Sequence, residues 1–230
     1  MSAGSVLLWV VLPYVAVTIF IVGHVWRYRH DQFGWTSRST QLLEHRLLAW
    51  GSPLFHYGAL AAIGGHVLGI LIPPAATGAV GIDEDAYHLL AVIGGGIAGA
   101  ATVVGFLILL YRRATVRRVA VTTSWLDIAA YGLLAFAIGV GTAETLAVQA
   151  FGDAFDYRDS VGAWFRSLVT FQPETESITD ARLIFQIHAI SAWPLYALWP
   201  FTRLVHAWSI PLQYIGRPYI LYRQRYPAAR

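Results

Sequence analysis

Four of the eight histidines in this sequence fall in or at the end of long apolar runs. His56 and His66 lie in the run 53–72. His188 and His206 lie in, or at the end of, the run 181–207. An imidazole is costly in hydrocarbon, so intramembrane histidines are read by default as functional. Two helices that each offer two imidazoles can hold two haems, with one axial ligand from each helix per iron. Such an arrangement carries electrons across a membrane. A single histidine in a span is often a hydrogen-bonded packing residue or lies near a helix end, but four at matching levels on two helices form a pattern. The other four are read more simply: His24, His30 and His45 at the end of the first run or just after it, and His88 at the start of the third.

The elements that must position these residues are membrane spans. The chain has 230 residues, 57% of them hydrophobic and only 13% charged, where a soluble domain carries about 25% charged residues. Five runs, 6–25, 53–72, 89–111, 126–148 and 181–207, are long enough to cross about 30 Å of hydrocarbon. The expected fold is an all-α membrane protein, a five-transmembrane-helix bundle. The first run has no positive n-region and is followed by Arg27-Tyr28-Arg29, so it reads as a span and not as a signal peptide. Ser52 and Pro53 read as the N-cap and first residue of the second helix, and Pro73-Pro74 as its end. All sixteen basic residues are arginine. Thirteen fall on one side of the predicted bundle; only Arg158, Arg166 and Arg182 fall on the other, which carries most of the acidic residues. The positive-inside bias places the N-terminus outside and the C-terminus in the cytoplasm. Trp9, Trp26, Trp50, Trp125, Trp193, Trp199 and Trp208 read as interfacial anchors near helix ends. The absence of cysteine excludes disulfides, iron–sulfur ligation and covalent haem attachment. A haem here is held by axial ligands and packing alone. The net charge of +3 follows from arginines at helix ends and does not call for nucleic acid. Residues 1–208 form the predicted transmembrane domain and 209–230 a cytoplasmic tail.

Helices two and five run in opposite directions, so the levels match one way only: His56 with His206 on the inner side, His66 with His188 on the outer. Eighteen residues between His188 and His206 correspond to five turns and about 27 Å; ten between His56 and His66 correspond to about 15 Å. Kinks at Pro194 and Pro200 and helix tilt can absorb the difference, and the mean, about 21 Å, is the expected iron–iron distance. Gly58, Gly64, Gly65, Gly69, Ala189 and Ala192 surround the ligands. They leave room for a macrocycle, let helices pack closely, or both.

Few other polar groups enter the spans. Glu144 reads either as a proton relay or as a hydrated carboxylate near the interface. Arg203, one turn before His206, either snorkels to the interface or pairs with a haem propionate. The basic, aromatic tail reads as an anchor on anionic lipid or as a docking segment for a soluble partner.

Several stretches carry a family resemblance. LFHYGALAAIGGHVLG (54–69) resembles the second helix of the respiratory nitrate reductase gamma subunit. PFTRLVHAWSIPLQYIGRPYILYR (200–223) resembles the end of that family's fifth helix and its tail. The RYRHDQFGW, TVRRVAVTTSWLDI and SLVTFQP segments support the match, which covers nearly the whole chain.

The resemblance implies a multi-pass subunit of the cytoplasmic membrane, a cytochrome b with two b-type haems. It implies oxidation of quinol (menaquinol or ubiquinol) on the outer side, and electrons passing inward to an iron–sulfur beta subunit and a molybdenum alpha subunit that reduces nitrate. His66 and His188 are then ligands of the outer, low-potential haem, and His56 and His206 of the inner, high-potential one. The tail 209–230 becomes a docking segment for the cytoplasmic partners. The family has a lysine near the outer start of helix three, beside the quinol pocket. This chain has none, and Tyr87 of Asp85-Ala86-Tyr87-His88 stands in the matching place. Gly65, Tyr87 and His88 are the quinol-site candidates: Tyr87 or His88 to hydrogen-bond a quinol oxygen, His88 to accept its proton, Gly65 to leave space for the ring. The simpler reading is an interfacial tyrosine and a solvated histidine. A related quinol-oxidising cytochrome b, serving a sulfur-compound or heterodisulfide-type reductase, is the alternative function.

Overall fold

The computed structural model describes residues 2–153, 155–209 and 216. These are helical, with no strand among them. Four helices are long and apolar enough to cross a membrane: α1 (Ala3–His30), α2 (Arg46–Leu71), α3 (Glu84–Thr115) and α4 (Trp125–Ala150). Large apolar side chains on their outward faces, such as Leu7, Val22, Leu60, Ile97 and Phe136, are exposed, as lipid-facing residues are. Helices α5 (Val161–Val169) and α6 (Leu183–Leu198) follow. The expected tail falls, apart from Ser209 and Gly216, outside the described residues.

Polar caps carry the spans beyond their apolar runs. The Asp83 carboxylate accepts the Ala86 amide and starts α3 well before Leu89. Ser124 and Asp127 form a reciprocal capping box at the start of α4. The second helix begins earlier than expected. Arg46 opens it, the Glu44 carboxylate accepts the Leu47 amide, and Ser52 is not its cap. Pro53 lies inside the helix. Pro73-Pro74 ends α2 as expected and opens a short helix, Pro74–Ala79.

Glycines bring α2 and α3 together. A Cβ on Gly58 would lie 2.6 Å from the Thr102 amide nitrogen, and one on Gly51 would lie 2.8 Å from Ile108. At these positions the small residues serve close helix packing. Trp9 and Trp193 are not interfacial anchors; both are buried in a cluster with Trp164, Leu168, Ile178 and Phe185. Pro13 has no N–H to offer the carbonyl of Trp9 four residues back. Trp164 Nε1 donates to that carbonyl at 2.9 Å, so the freed group is satisfied by tertiary contact, and the helix takes a π-helical turn there (Leu7–Val11).

The expected fifth span departs most from its prediction. Its α-helix stops at Leu198, and two 3-10 segments, Trp199–Phe201 and Arg203–Trp208, complete it. Pro200 sits in the first and Thr202 is extended between them. Three contacts stabilise the break. Buried Arg27 donates to the carbonyls of Pro200 at 2.6 Å and Thr202 at 3.0 Å. The Thr202 hydroxyl accepts the Leu204 amide. Trp199 Nε1 donates to the Leu204 carbonyl. The α-helix therefore ends ten residues after His188, about 15 Å along its axis, which equals the rise between His56 and His66.

Candidate functional site

The structure brings the four predicted histidines together in two pairs. His56 Nε2 lies 3.4 Å from His206 Nε2, and His66 Nε2 lies 3.4 Å from His188 Nε2. Ring centroids are 5.7 Å apart in both pairs. Because α2 is continuous between His56 and His66, the two levels are about 15 Å apart along it, not the 21 Å obtained by averaging. The longer sequence interval on the other side is taken up beyond Leu198, where the α-helix ends and extended Thr202 interrupts the chain.

The other ring nitrogens decide what the pairs can do. His56 Nδ1 donates to the Ser52 carbonyl at 2.7 Å, His66 Nδ1 to Ala62 at 2.7 Å, and His206 Nδ1 to Arg203 at 2.6 Å. A carbonyl only accepts, so each Nδ1 carries the proton and each Nε2 presents a lone pair. At the inner pair two lone pairs face each other. That is repulsive unless an electron-poor centre lies between them. A second-shell hydrogen bond fixing the tautomer is the usual arrangement for a metal-bound imidazole. Metal–imidazole bonds of about 2 Å each require the nitrogens to be about 4 Å apart, so each pair need open by only about 0.6 Å. Among the described residues no three histidine, cysteine or carboxylate side chains cluster as a metal site. A centre whose remaining ligands come with it, as in a porphyrin, fits a two-imidazole donor set.

Space fits as well. His56 and His66 are exposed although each faces a partner, and Gly64 and Gly65 have open space where a Cβ would stand. His188 is seated differently. A Cβ on Gly141 of α4 would lie 2.8 Å from its Cε1 and 3.2 Å from its Nε2, so the imidazole occupies the room that glycine leaves.

A sequence profile of the nitrate reductase gamma subunit family matches residues 5–225. The chain is 47% identical to the nitrate reductase gamma chain of Bacillus subtilis, over 95% of its own length and 98% of the other. It is 34% identical to the respiratory nitrate reductase 2 gamma chain of Escherichia coli, over 94% and 95% of the two chains. The chain belongs to the nitrate reductase gamma subunit family. It is a multi-pass membrane protein. It is also 49% identical to the nitrate reductase-like protein NarX of Mycobacterium tuberculosis, but there it spans only 34% of that protein's length.

Arg203 is neither snorkelling nor free. Its Nε and Nη2 donate to the two carboxylate oxygens of Asp127 at 2.8 and 2.7 Å. Asp127 was not singled out in the sequence, where it reads as an ordinary helix-start acid. It fastens the segment that carries His206 to the start of α4. The forked Nε–Nη2 edge of the guanidinium is taken by Asp127.

The outer candidates also resolve. Tyr87 is not an interfacial side chain. It is 5% exposed, its hydroxyl lies 2.9 Å from that of Tyr157, and the Arg158 guanidinium stacks 3.9 Å from its ring centroid. Burial, then the hydrogen bond with Tyr87, raises the pKa of Tyr157, which stays a neutral phenol. Both hydroxyls fill the space beside Gly69, three residues after His66; a Cβ there would lie 2.6 Å from each. His88 is partly buried and its Nε2 has no hydrogen-bond partner. Gly65 is open. Tyr157 and Gly141, missed in the sequence, belong to this region. The Gly-Val-Gly of residues 139–141 was the only signal of the second.

Proposed function

We propose that this chain is the quinol-oxidising cytochrome b subunit of a respiratory nitrate reductase in the cytoplasmic membrane. In this reading the chain crosses five times, with its N-terminus outside and its C-terminus in the cytoplasm. The fifth crossing is α6 with its 3-10 continuation. The observation that carries the proposal is the pair of facing imidazoles at each of two levels, with the Nδ1 protons of His56, His66 and His206 committed to backbone carbonyls. Arginine bias supports the orientation, and the family membership favours nitrate reductase over a sulfur-compound or heterodisulfide-type reductase.

His66 and His188 hold the outer b-type haem, and His56 and His206 the inner one. Bound between two imidazoles, such a haem supplies a one-electron iron couple with no open coordination position, which suits electron transfer rather than oxygen binding. The protein's own residues do the rest. Carbonyls of Ser52, Ala62 and Arg203 fix the tautomer and ring orientation of three ligands. Gly141 seats the fourth. Asp127 and Arg27 hold the broken helix so that His206 meets His56. Menaquinol or ubiquinol docks on the outer side near Gly65, Tyr87 and His88 and releases its protons outward. The tail 209–230 docks onto the iron–sulfur beta and molybdenum alpha subunits, so nitrate never touches this chain.

The test uses the intact complex. The haem-to-gamma-subunit ratio is expected to be two, and quinol oxidation is expected to require nitrate. A ratio of zero, or quinol oxidation indifferent to nitrate, overturns the proposal.

A further inference from the structure

Glu144 is a buried carboxyl in the outer half of the bundle with no assigned role. Its Oε2 is buried and accepts no hydrogen bond from any described group. Isolated buried carboxyls in spans are costly and mark proton routes more often than packing. The backbone is unusual at the same residue: α4 leaves its α-helical pattern at Glu144 and continues as a π-helical segment, Glu144–Ala150, a geometry frequent at functional sites.

Helix α4, which carries this carboxyl, also seats one histidine of the outer pair. Glu144 lies three residues after Gly141, so the two share a face of α4, and His188 rests on Gly141. Three residues beyond His66, the Tyr157 hydroxyl meets that of Tyr87 next to Gly69. A path to the outer surface continues from there. Thr145 packs on Gly95 of α3 and Thr142 on Gly99, so these antiparallel helices run in register. Seven residues from Gly95 toward the outside, about 10 Å, is His88, on the same face and also with a buried, unpartnered Nε2. The titratable and charged groups on the elements of this part of the bundle are His188 from α6, His88 from α3, His66 from α2, and Tyr157 with the Asp156–Arg158 pair from the segment after α4.

We propose that Glu144 is a proton-relay residue: its carboxylate takes a proton given up when quinol is oxidised beside His66 and His188 and passes it through His88 to outer solvent. The inference rests on the quinol-oxidising reading above. The balance is simple. Oxidation of quinol releases two electrons, which a haem held by His66 and His188 would accept one at a time, and two protons. Each proton leaves as a quinol O–H bond breaks and a carboxyl O–H bond forms at Glu144. The proton then crosses the roughly 10 Å to His88 Nε2 by way of water, and His88 releases it to outer solvent, restoring the carboxylate for the second. Tyr87 and Tyr157, both neutral phenols, close the pocket and do not accept protons.

The experiment compares the intact complex with Glu144→Gln, Glu144→Asp and His88→Gln variants. Glu144→Gln is expected to keep both haems and full nitrate reduction from an artificial donor that feeds the soluble subunits. Quinol-driven turnover is expected to fall about a hundredfold. The acidic limb of the pH–rate profile, where the carboxylate is already protonated, should disappear. Glu144→Asp should restore most of the rate, and His88→Gln should slow it less. An independent readout avoids reliance on a well-assembled variant. The infrared difference spectrum of the unmodified complex, reduced by quinol, should show a carboxylic C=O band that shifts in Glu144→Asp. A wild-type quinol rate and pH profile in Glu144→Gln, or no such band in the unmodified complex, overturns the relay. Failure of quinol to reduce any haem in the unmodified complex overturns instead the reading on which it rests.

Discussion

Removing the carboxylate of Asp127 is expected to cost the inner haem and leave the outer one in place. The pair it forms with Arg203 is buried, with side-chain exposures of 12% for Arg203 and 2% for Asp127. Both carboxylate oxygens are used, at 2.8 and 2.7 Å. Breaking a buried pair from one side leaves an uncompensated charge and costs about 3–5 kcal/mol. Asp127 also accepts the Ser124 amide at 2.9 Å, and loss of that cap adds about 1 kcal/mol. Arg203 opens the 3-10 segment whose fourth residue is His206, so the loss falls on the inner ligand. Even 3 kcal/mol corresponds to about two decades in the population holding His206 opposite His56. The outer pair draws on α2, α6 and Gly141 and should be unaffected. The assay is a low-temperature reduced-minus-oxidised spectrum of Asp127→Ala, Arg203→Ala and the double variant. The double variant, which carries no orphan charge, should retain more inner haem than Asp127→Ala alone. Retention of both haems in Asp127→Ala, or equal loss of both, would refute this account of how His206 is held.

Further expectations concern separate contacts. Gly141→Ala would place a methyl 2.8 Å from the His188 ring, so it should disturb the outer haem only, seen as a changed electron paramagnetic resonance signal from that site. Trp164→Phe would leave the Trp9 carbonyl buried without its donor and should lower stability by about 1–3 kcal/mol in denaturant unfolding. Asp156 titrates below the usual carboxylate range; burial acts the other way, but the hydrogen bonds and charge of Arg158 outweigh it. Its folded pKa is depressed, so its stabilisation is full above the ordinary aspartate value, about 4, and is lost as pH falls through the lower folded value. The thermal midpoint of the wild-type complex should therefore fall more steeply below about pH 4 than that of Asp156→Asn, and identical slopes would contradict it.

The fold was legible where physics is repetitive. Long apolar runs located the four membrane-capable helices, and Pro73-Pro74 marked a true end. The start of α2 was misread because Ser52-Pro53 carries a helix-start signature, while the group that starts the helix, Glu44, lies in a polar stretch. Even there the carboxyl is held below its usual pKa, against burial, by the Leu47 amide and by Arg112 of α3, a contact between residues far apart in sequence. The site was legible in its pairing, because antiparallel spans allow only one match of levels. It was not legible in its spacing, because a run of apolar residues does not announce that an α-helix gives way to 3-10 turns at Leu198. Arginines were read as topology markers, yet Arg27, Arg112 and Arg203 each satisfy buried acceptors. Charge bias and hydrogen-bond role leave the same trace in a sequence. Tyr157 left no trace, and Gly141 only the Gly-Val-Gly of residues 139–141, since a tyrosine in a loop and a glycine in a span are ordinary.

The most direct measurement replaces His66 and His206 separately by alanine and determines haem content and spectra of each intact complex. Two b-type haems in the unmodified complex, with the outer one missing from His66→Ala and the inner one from His206→Ala, is the predicted result. Loss of the same haem from both variants, or no haem in the unmodified complex, would contradict the account.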